Sequence, residues 1–393
     1  MKITLRKTGL QCFAALFMAT VTLMGSSCSK DDTGELYTVT IVSNGGTNFA
    51  PIHVRAGELI PTNKLFPAPI TIDGGEFVCW CSDELLEHEF DFNTPVAGDM
   101  TLYAKWFYVE YTVTFNMNGA PAVDPQVLRS GEYVDYFRPE YAGKVFGGWF
   151  TDKECTRLFD FPMTKVSEDV TLYAKWHDPS PADWFTISDG TLTGCTVPSG
   201  TQTVVIPEGV TTIGQWFVLA NAGNLPQVTE FVLPQSLTTI QEGAFKGSAV
   251  TRMIVPPHVK TLTSFTFQEC PNLATFVFEP GSEFESITVN DGLEPVFGTP
   301  ALTSLTLPKS FIDIDGYCIA PSSTALQSLT FLRSESAPTF HIRGGGSLWL
   351  FGGYFPATIN VPNNAKPAYL AALRLACPND YDYSKMTGIL VGF

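Results

Sequence analysis

Basic residues are scarce in this 393-residue chain, with 23 Lys and Arg against 39 Asp and Glu and a formal net charge of −16. Three of the basic residues (Lys2, Arg6 and Lys7) and none of the acidic ones fall within residues 1–27, so the remainder carries 20 against 39, a net charge of −19. An acidic surface repels phosphate backbones and anionic lipid headgroups, and no basic cluster compensates, which disfavours a nucleic-acid partner. A long apolar run is also missing: the stretch from Leu10 to Met24 is broken by Gln11, Thr20 and Thr22 and is too short to span a bilayer comfortably. Histidine is sparse. His53, His88, His177, His258 and His341 stand in no metalloprotease or nucleophile–base motif, and no Gly-x-Ser-x-Gly elbow occurs. The carboxylate pairs Glu283 with Glu285 and Asp313 with Asp315 sit side by side on one strand face, not opposed across a cleft, and read as solvated acids. Asp313-x-Asp315-Gly316 lacks the further ligands of a calcium loop. The expectation is a protein that is not an enzyme and carries no cofactor or metal.

A disulfide framework is lacking as well. Cys12 and Cys28 lie at the N-terminus, and the other seven, Cys79, Cys81, Cys155, Cys195, Cys270, Cys318 and Cys377, are odd in number and irregularly spaced. Cys79 and Cys81 would share one face of a strand, where a bridge between them is strained. With no His or further Cys clustered nearby, a metal site finds no ligands. The set is expected to be mostly buried, unpaired thiols.

The first 32 residues have their own logic. Lys2, Arg6 and Lys7, the apolar run, then Gly25-Ser26-Ser27 make a secretory signal in place of a structural helix. Cys28 at the exit point resembles the lipid-bearing residue of a bacterial lipoprotein. Ser29-Lys30-Asp31-Asp32 behind it resembles the surface-export signal of lipoproteins in Bacteroides-type bacteria. The resemblance implies removal of residues 1–27, lipid on Cys28, a tether over 28–36 and an outer-membrane location facing the cell exterior, with membrane contact through the lipid alone. An ordinary signal peptide with an incidental Cys28 is the competing reading.

What the chain has in abundance is Thr, Gly, Pro and Phe, a bias toward strands broken by turns. Its length allows two to four domains. Two stretches, 37–106 and 107–176, repeat one pattern. They open with Tyr37-Thr38-Val39-Thr40 and Tyr111-Thr112-Val113-Thr114, and close with Thr101-Leu102-Tyr103-Ala104-Lys105-Trp106 and Thr171-Leu172-Tyr173-Ala174-Lys175-Trp176. Between them Phe77-x-x-Trp80 matches Phe146-x-x-Trp149, and Asp91-Phe92 matches Asp160-Phe161. The end segments alternate apolar and polar residues as half-buried strands do. The pattern resembles the Listeria–Bacteroides repeat, the B-type repeat of internalin-like proteins. That resemblance implies a small β-grasp-like module acting as spacer or weak binding unit. The first copy departs from it, with Cys79 for the glycine before Trp80 and Cys81-Ser82-Asp83 for Phe-Thr-Asp. Core packing is the favoured role of the four repeat tryptophans, Trp80, Trp106, Trp149 and Trp176, and exposed ligand grooves the alternative.

After a Pro-rich linker at 177–185 the period changes. Val228-x-x-Phe231-x-Leu233-Pro234 returns 22 residues later as Val250-x-x-Met253-x-Val255-Pro256, then as Leu273-x-x-Phe276-x-Phe278, with further copies from Leu302 and Leu326 and an earlier one from Val204. No single turn of this kind buries its own apolar side, so the turns must stack. The motif resembles BspA-type leucine-rich repeats. Over 186–393 the resemblance implies a solenoid opened by a hairpin at Asp189-Gly190 and closed by the strand at Ile359-x-Val361 and a helix from Ala365 to Leu375. The fold class is therefore mainly β and multidomain: two β-grasp-like modules, then a leucine-rich-repeat solenoid with a helical and strand cap.

Two surfaces are candidate binding sites. The outward positions of the solenoid strands, Glu230, Val232, Arg252, Ile254, Thr275, Val277, Ser304 and Thr306, continued by Ser328 and Thr330, suit a flat recognition face. The Gly-rich insertion at 343–355 brings Arg343, Trp349, Phe351, Tyr354 and Phe355 together in a loop, where a partner site and core completion are both open readings. The functional expectation is a cell-surface lipoprotein whose repeats recognise an unknown protein or glycan, with a host-derived partner among the options and the modules as stalk. The alternative is a scaffold or accessory glycan-binding subunit of an outer-membrane nutrient-uptake assembly.

Overall fold

The computed structural model describes residues 35–65, 75–289, 295–315, 318, 325–341, 356–376, 383–384 and 387–393. Cys28, Cys377 and the candidate loop residues Arg343, Trp349, Phe351, Tyr354 and Phe355 lie outside them. The chain divides into one compact unit up to Phe107 and a second from Tyr108 onward.

In the first unit, β1 (Leu36–Val42), β2 (Ile52–Arg55), β3 (Glu76–Cys81) and β4 (Met100–Phe107) form one sheet in the order β2-β1-β4-β3. The opening and closing signature strands are the central pair and run parallel, Val39 facing Met100 and Val42 facing Tyr103. Their alternation sends Val39, Leu102 and Ala104 to the buried side, where Trp80 packs at 2% exposure. Asp99 Oδ1 accepts the Thr38 amide at 2.7 Å, and Trp106 Nε1 donates to the Ser43 carbonyl at 2.9 Å. A sheet this small leans on its aromatic residues for buried area.

The second unit begins with the same design. Strands β5 (Glu110–Asn116), β6 (Gln126–Arg129), β7 (Val145–Phe150) and β8 (Val170–His177) pair in the order β6-β5-β8-β7. Asp169 repeats the cap of Asp99 on the Thr112 amide at 2.8 Å. Trp149, 1% exposed, is ringed by Phe115, Phe137 and Phe146 at centroid distances of 5.0, 5.2 and 5.5 Å. Its Nε1 donates to the Phe137 carbonyl at 3.0 Å. The repeat tryptophans serve the core, fully in Trp80 and Trp149 and in part in Trp106 and Trp176.

The solenoid opens with the antiparallel hairpin β9 (Phe185–Ser188) and β10 (Thr191–Cys195), whose two-residue turn puts both Asp189 and Gly190 at positive φ. Parallel strands then follow in turn: β11 (Thr203–Val205), β12 (Thr212–Ile213), β13 (Glu230–Val232), β14 (Thr239–Ile240), β15 (Arg252–Val255), β16 (Thr261–Leu262), β17 (Thr275–Phe278) and β18 (Ser286–Ile287). After these come β19 (Ser304–Leu307), β20 (Asp313–Asp315), β21 (Ser328–Phe331), β22 (Thr339–His341), β23 (Thr358–Val361) and β24 (Leu390–Gly392). A short helix α1 (Phe217–Ala220) fills one turn, and α2 (Lys366–Ala376) caps the end. One row of strands runs β11-β13-β15-β17 and then β19-β21-β23-β24. Among the described residues no ladder joins β17 to β19. The longer insertion at 281–300 falls at that interruption.

Each strand sends alternate residues inward, so Phe231, Met253, Phe276, Leu305, Leu329 and Ile359 form one continuous buried column. A second column stacks Phe245, Phe267 and Phe297, with centroids 5.5 and 5.9 Å apart and rings within 14° of parallel. Each fully buried Phe is worth about 1.5–3 kcal/mol. Phe267, held between two rings at 0% exposure, is the residue whose truncation to Ala most directly severs neighbouring turns, at about 3–5 kcal/mol.

The Pro-rich segment after the second module is tied to the module on one side and to the solenoid on the other. Lys144 pairs with Asp178 at 2.6 Å, and Ser180 Oγ accepts the Val205 amide at 2.9 Å.

Candidate functional site

The outward residues of the solenoid strands differ in what they meet. Glu230, Val232, Arg252, Ile254 and Val277 lie against the second module, and Thr275, Ser304 and Thr306 line an open cleft beside it. Ser328 lies further along the row, whereas Thr330, expected to point outward, is buried at 3% exposure.

Charge holds the junction at two points. Lys175, on β8, donates from Nζ to both carboxylate oxygens of Glu230 at 3.0 and 2.8 Å. Arg252 approaches the same carboxylate, Nε to Oε1 3.7 Å, and its guanidinium lies 4.8 Å above the Phe150 ring. Burial opposes the charge on Glu230, but the Lys175 hydrogen bond with the charges of Lys175, His177 and Arg252 outweighs it and holds the carboxyl below its usual value. His177 is itself pushed below the usual histidine value, chiefly by burial.

The second point is Glu279, 5% exposed, in the turn that follows β17. Its Oε1 accepts Arg138 Nη1 at 2.8 Å and the Tyr136 hydroxyl, and its Oε2 accepts Gln235 Nε2 at 2.8 Å. Burial, with the Glu279 charge beside it, raises the Tyr136 phenol well above its usual value and keeps it a donor. A buried carboxylate with three donors is one whose desolvation is compensated.

Between the charged points the surfaces come very close. Gly148 sits at φ +116°, and a Cβ there would lie 3.0 Å from Leu158 Cδ1 and 3.3 Å from Ile254 Cδ1. Only glycine holds this backbone and admits Ile254. A void of about 60 Å³ remains inside the junction.

Beside the junction a cleft of about 570 Å³ opens between the second module and the solenoid. Tyr136, Leu158, Asp160 and Pro162 form its wall, and Thr275, Ser304, Thr306 and Lys309 its floor. Burial raises the Asp160 carboxyl, with the Met163 amide partly offsetting it.

Sequence reasoning put the solenoid face on outward positions but missed what covers it. Tyr136, Arg138, Phe150, Lys175, Gln235 and Glu279 were not singled out. One signal was present: at the face-forming positions Gly147, Gly148 and Phe150 of the second copy, the first copy has Val78, Cys79 and Cys81.

Three of the four paired carboxylates engage basic groups, while Asp315, expected to be solvated, is buried at 4% exposure and its Oδ2 accepts the Val289 amide at 2.8 Å. Glu283 pairs with His258 at 3.1 Å, Glu285 with Lys260 at 3.4 Å, and Asp313 with His341 at 2.7 Å. Among the described residues no group of three or more His, Cys, Asp or Glu could hold a metal ion, and no helix is long and apolar enough to cross a membrane. Cys79, Cys81, Cys155, Cys195, Cys270 and Cys318 form no disulfide. Burial pushes Cys195 to about 11 and Cys270 to about 12, which makes them poor nucleophiles.

Residues 37–105 and 111–175 each match the Listeria–Bacteroides repeat domain, and residues 185–325 match the BspA-type leucine-rich repeat region in six copies. Two proteins of Evansella cellulosilytica, one named a membrane protein and the other a Gly-rich membrane protein, are each 38% identical over 143 residues. Those residues are 36% of this chain and 21% and 16% of the two proteins. Internalin H of Listeria monocytogenes is 30% identical over 138 residues, 34% of this chain and 24% of internalin H. The chain thus spans less than a quarter of the length of these relatives. The crystal structure of a leucine-rich cell-surface protein from Faecalibacterium prausnitzii is 18% identical and covers 42% of this chain and 54% of its own, at a TM-score of 0.24 that carries no argument about fold. This chain is a tandem of two Listeria–Bacteroides repeats followed by a BspA-type leucine-rich repeat region.

Proposed function

We propose that the chain is a surface-anchored binding lipoprotein, tethered through lipid on Cys28 to the outer membrane and facing the cell exterior. Its second module and solenoid act together as the recognition unit, and its first module acts as spacer. The observation that carries this reading is the junction: Glu230 and Glu279 fix the second module on one half of the solenoid face and leave a cleft lined from both sides. A module held this way shapes a binding surface, whereas a freely linked one would serve only as stalk. Relatives named as membrane proteins and as an internalin support a place at the cell surface and a binding role. Repeat families of this kind typically bind and do not catalyse, which supports a role without chemistry.

Two experiments test it. The whole chain, screened against extracellular-matrix proteins and a glycan array, is expected to bind a member of one panel, and binding to neither contradicts the recognition role. In the native cell, fatty-acid labelling is expected to vanish in Cys28→Ala, and external protease is expected to remove the protein from intact cells. Survival of the protein under that protease contradicts the exterior location.

A further inference from the structure

We infer that the cleft between the second module and the solenoid is a binding site for a linear, neutral oligosaccharide, laid across the strands from β17 toward β23. This rests on the recognition role proposed above and names the ligand class of that site.

The floor is the first observation. From β19 the accessible side chains on this face are hydroxyls and an amide in register: Ser304 faces Ser328, and Thr306 lies one strand from Asn360's neighbour Thr330, which is itself buried at 3% exposure beneath Asn360. Asn360 Nδ2 donates to Ser328 Oγ at 2.7 Å and to Thr330 Oγ1 at 3.1 Å, so the row is already oriented. The accessible hydroxyls of Ser304, Thr306 and Ser328 both donate and accept, as each sugar hydroxyl does. Paired strands lie about 4.8 Å apart, close to the length of one pyranose residue, so successive rings would meet equivalent groups on successive strands.

The wall is the second. Tyr136 is fixed by its hydroxyl on Glu279, and Leu158 and Pro162 extend its apolar surface. An immobilised aromatic ring beside an aliphatic edge suits the C–H face of a sugar ring, at no further entropic cost to the protein. The volume of about 570 Å³ lies within the range of small-ligand sites and holds the end of a chain whose remainder crosses the open floor.

Charge is the third. Glu279 is spent on Arg138, which leaves Asp135 and Asp160 against Lys309 at the cleft. That balance repels sulfated or uronic-acid-rich chains and phosphorylated ligands, while neutral sugars pay no such penalty. An extended peptide, the other chain-like ligand, would need unpaired backbone groups at a strand edge. The surface along β19, β21 and β23 is paired within its sheet and offers side chains. The facing edges of β17 and β19 carry no ladder among the described residues, so strand addition there by a peptide is the competing outcome that the matrix-protein panel reads.

The test uses the whole chain, titrated calorimetrically with unbranched hexasaccharides of mixed-linkage β-glucan, cellulose, mannan and xylan. A heparin hexasaccharide serves as the anionic probe, and a panel of extracellular-matrix proteins is run alongside. Ser304 is exposed, so Ser304→Trp fills the cleft without entering the core, and Thr306→Val removes one hydroxyl at constant shape. At least one neutral hexasaccharide is expected to bind, at least tenfold more weakly in Ser304→Trp and several-fold more weakly in Thr306→Val, with the melting temperature unchanged. If Ser304→Trp fails to fold, Thr306→Val still reads the site. Neutral binding unaffected by the variants, or a preference for heparin, overturns the inference. Binding to matrix proteins alone overturns it while the recognition role stands, and binding to neither panel overturns both.

Discussion

The two repeat modules share a sheet order, a parallel central pair, the Asp cap on the first strand and a buried tryptophan. They differ on the face formed by their third and fourth strands. In the second, Gly147-Gly148, Phe150, Lys175 and His177 meet the solenoid or support the strand that does. In the first, the same positions hold Val78, Cys79, Cys81, Lys105 and Phe107. Lys175 reaches Glu230, whereas Lys105 Nζ bonds the Leu86 carbonyl of its own module at 2.9 Å. Val78 and Phe107 are 50% and 57% exposed. The lesson is that the module's core residues set its fold and a handful of face residues set what that face meets, so one fold presents two different surfaces.

The largest break in this contrast is Glu279→Ala. It strips Arg138, Tyr136 and Gln235 of a shared buried acceptor, at an expected cost of about 3 kcal/mol to the second unit in urea unfolding, with the first unit unchanged. Exchanging glycine and cysteine between copies should come next. Gly148→Cys forces a side chain onto a positive-φ backbone against Ile254 and should cost about 2 kcal/mol. Cys79→Gly, where no such backbone exists, should cost about 1 kcal/mol or less. Lys175→Met should cost about 1.5 kcal/mol, as a hydrogen bond to a buried charge is lost, and Lys105→Met about 0.5 kcal/mol, both read from denaturant midpoints.

The smallest effect is pH dependence. His177 and Glu230 both have folded-state values below their unfolded ones, so the unfolded chain binds more protons. The stability they contribute is complete above the ordinary histidine value of 6.5. It falls first as His177 must protonate to match the unfolded chain, and again below 4.5, as pH drops toward the folded value of Glu230. The first module has Phe107 in place of His177, so its denaturant midpoint should hold steady between pH 7 and 5 while that of the second unit falls.

Both repeat families and the mainly β class were legible in the sequence, because each rests on local periodicity: alternation in Thr101–Trp106 and Thr171–Trp176, and the 22-residue return of the Phe231 and Met253 strands. The junction was not legible. Glu279 and Arg138 are 141 residues apart, and nothing periodic links them. Glu230 and Arg252 stood out as outward positions, yet outward from a strand does not mean facing water when another module arrives there. The Gly148 to Cys79 difference was visible as a departure from the repeat, but its reason, the approach of Ile254, lies in a partner that a single module's pattern does not contain.

That the second module and the solenoid behave as one unit is tested most directly by amide hydrogen exchange on the whole chain, wild type against Glu279→Ala. Faster exchange in the variant is expected together at Gln126–Arg129, on through residue 138, and at Thr275–Phe278, with Ile52–Arg55 of the first module unchanged. Exchange that accelerates at Thr275–Phe278 alone, with the second module as protected as before, would contradict the account.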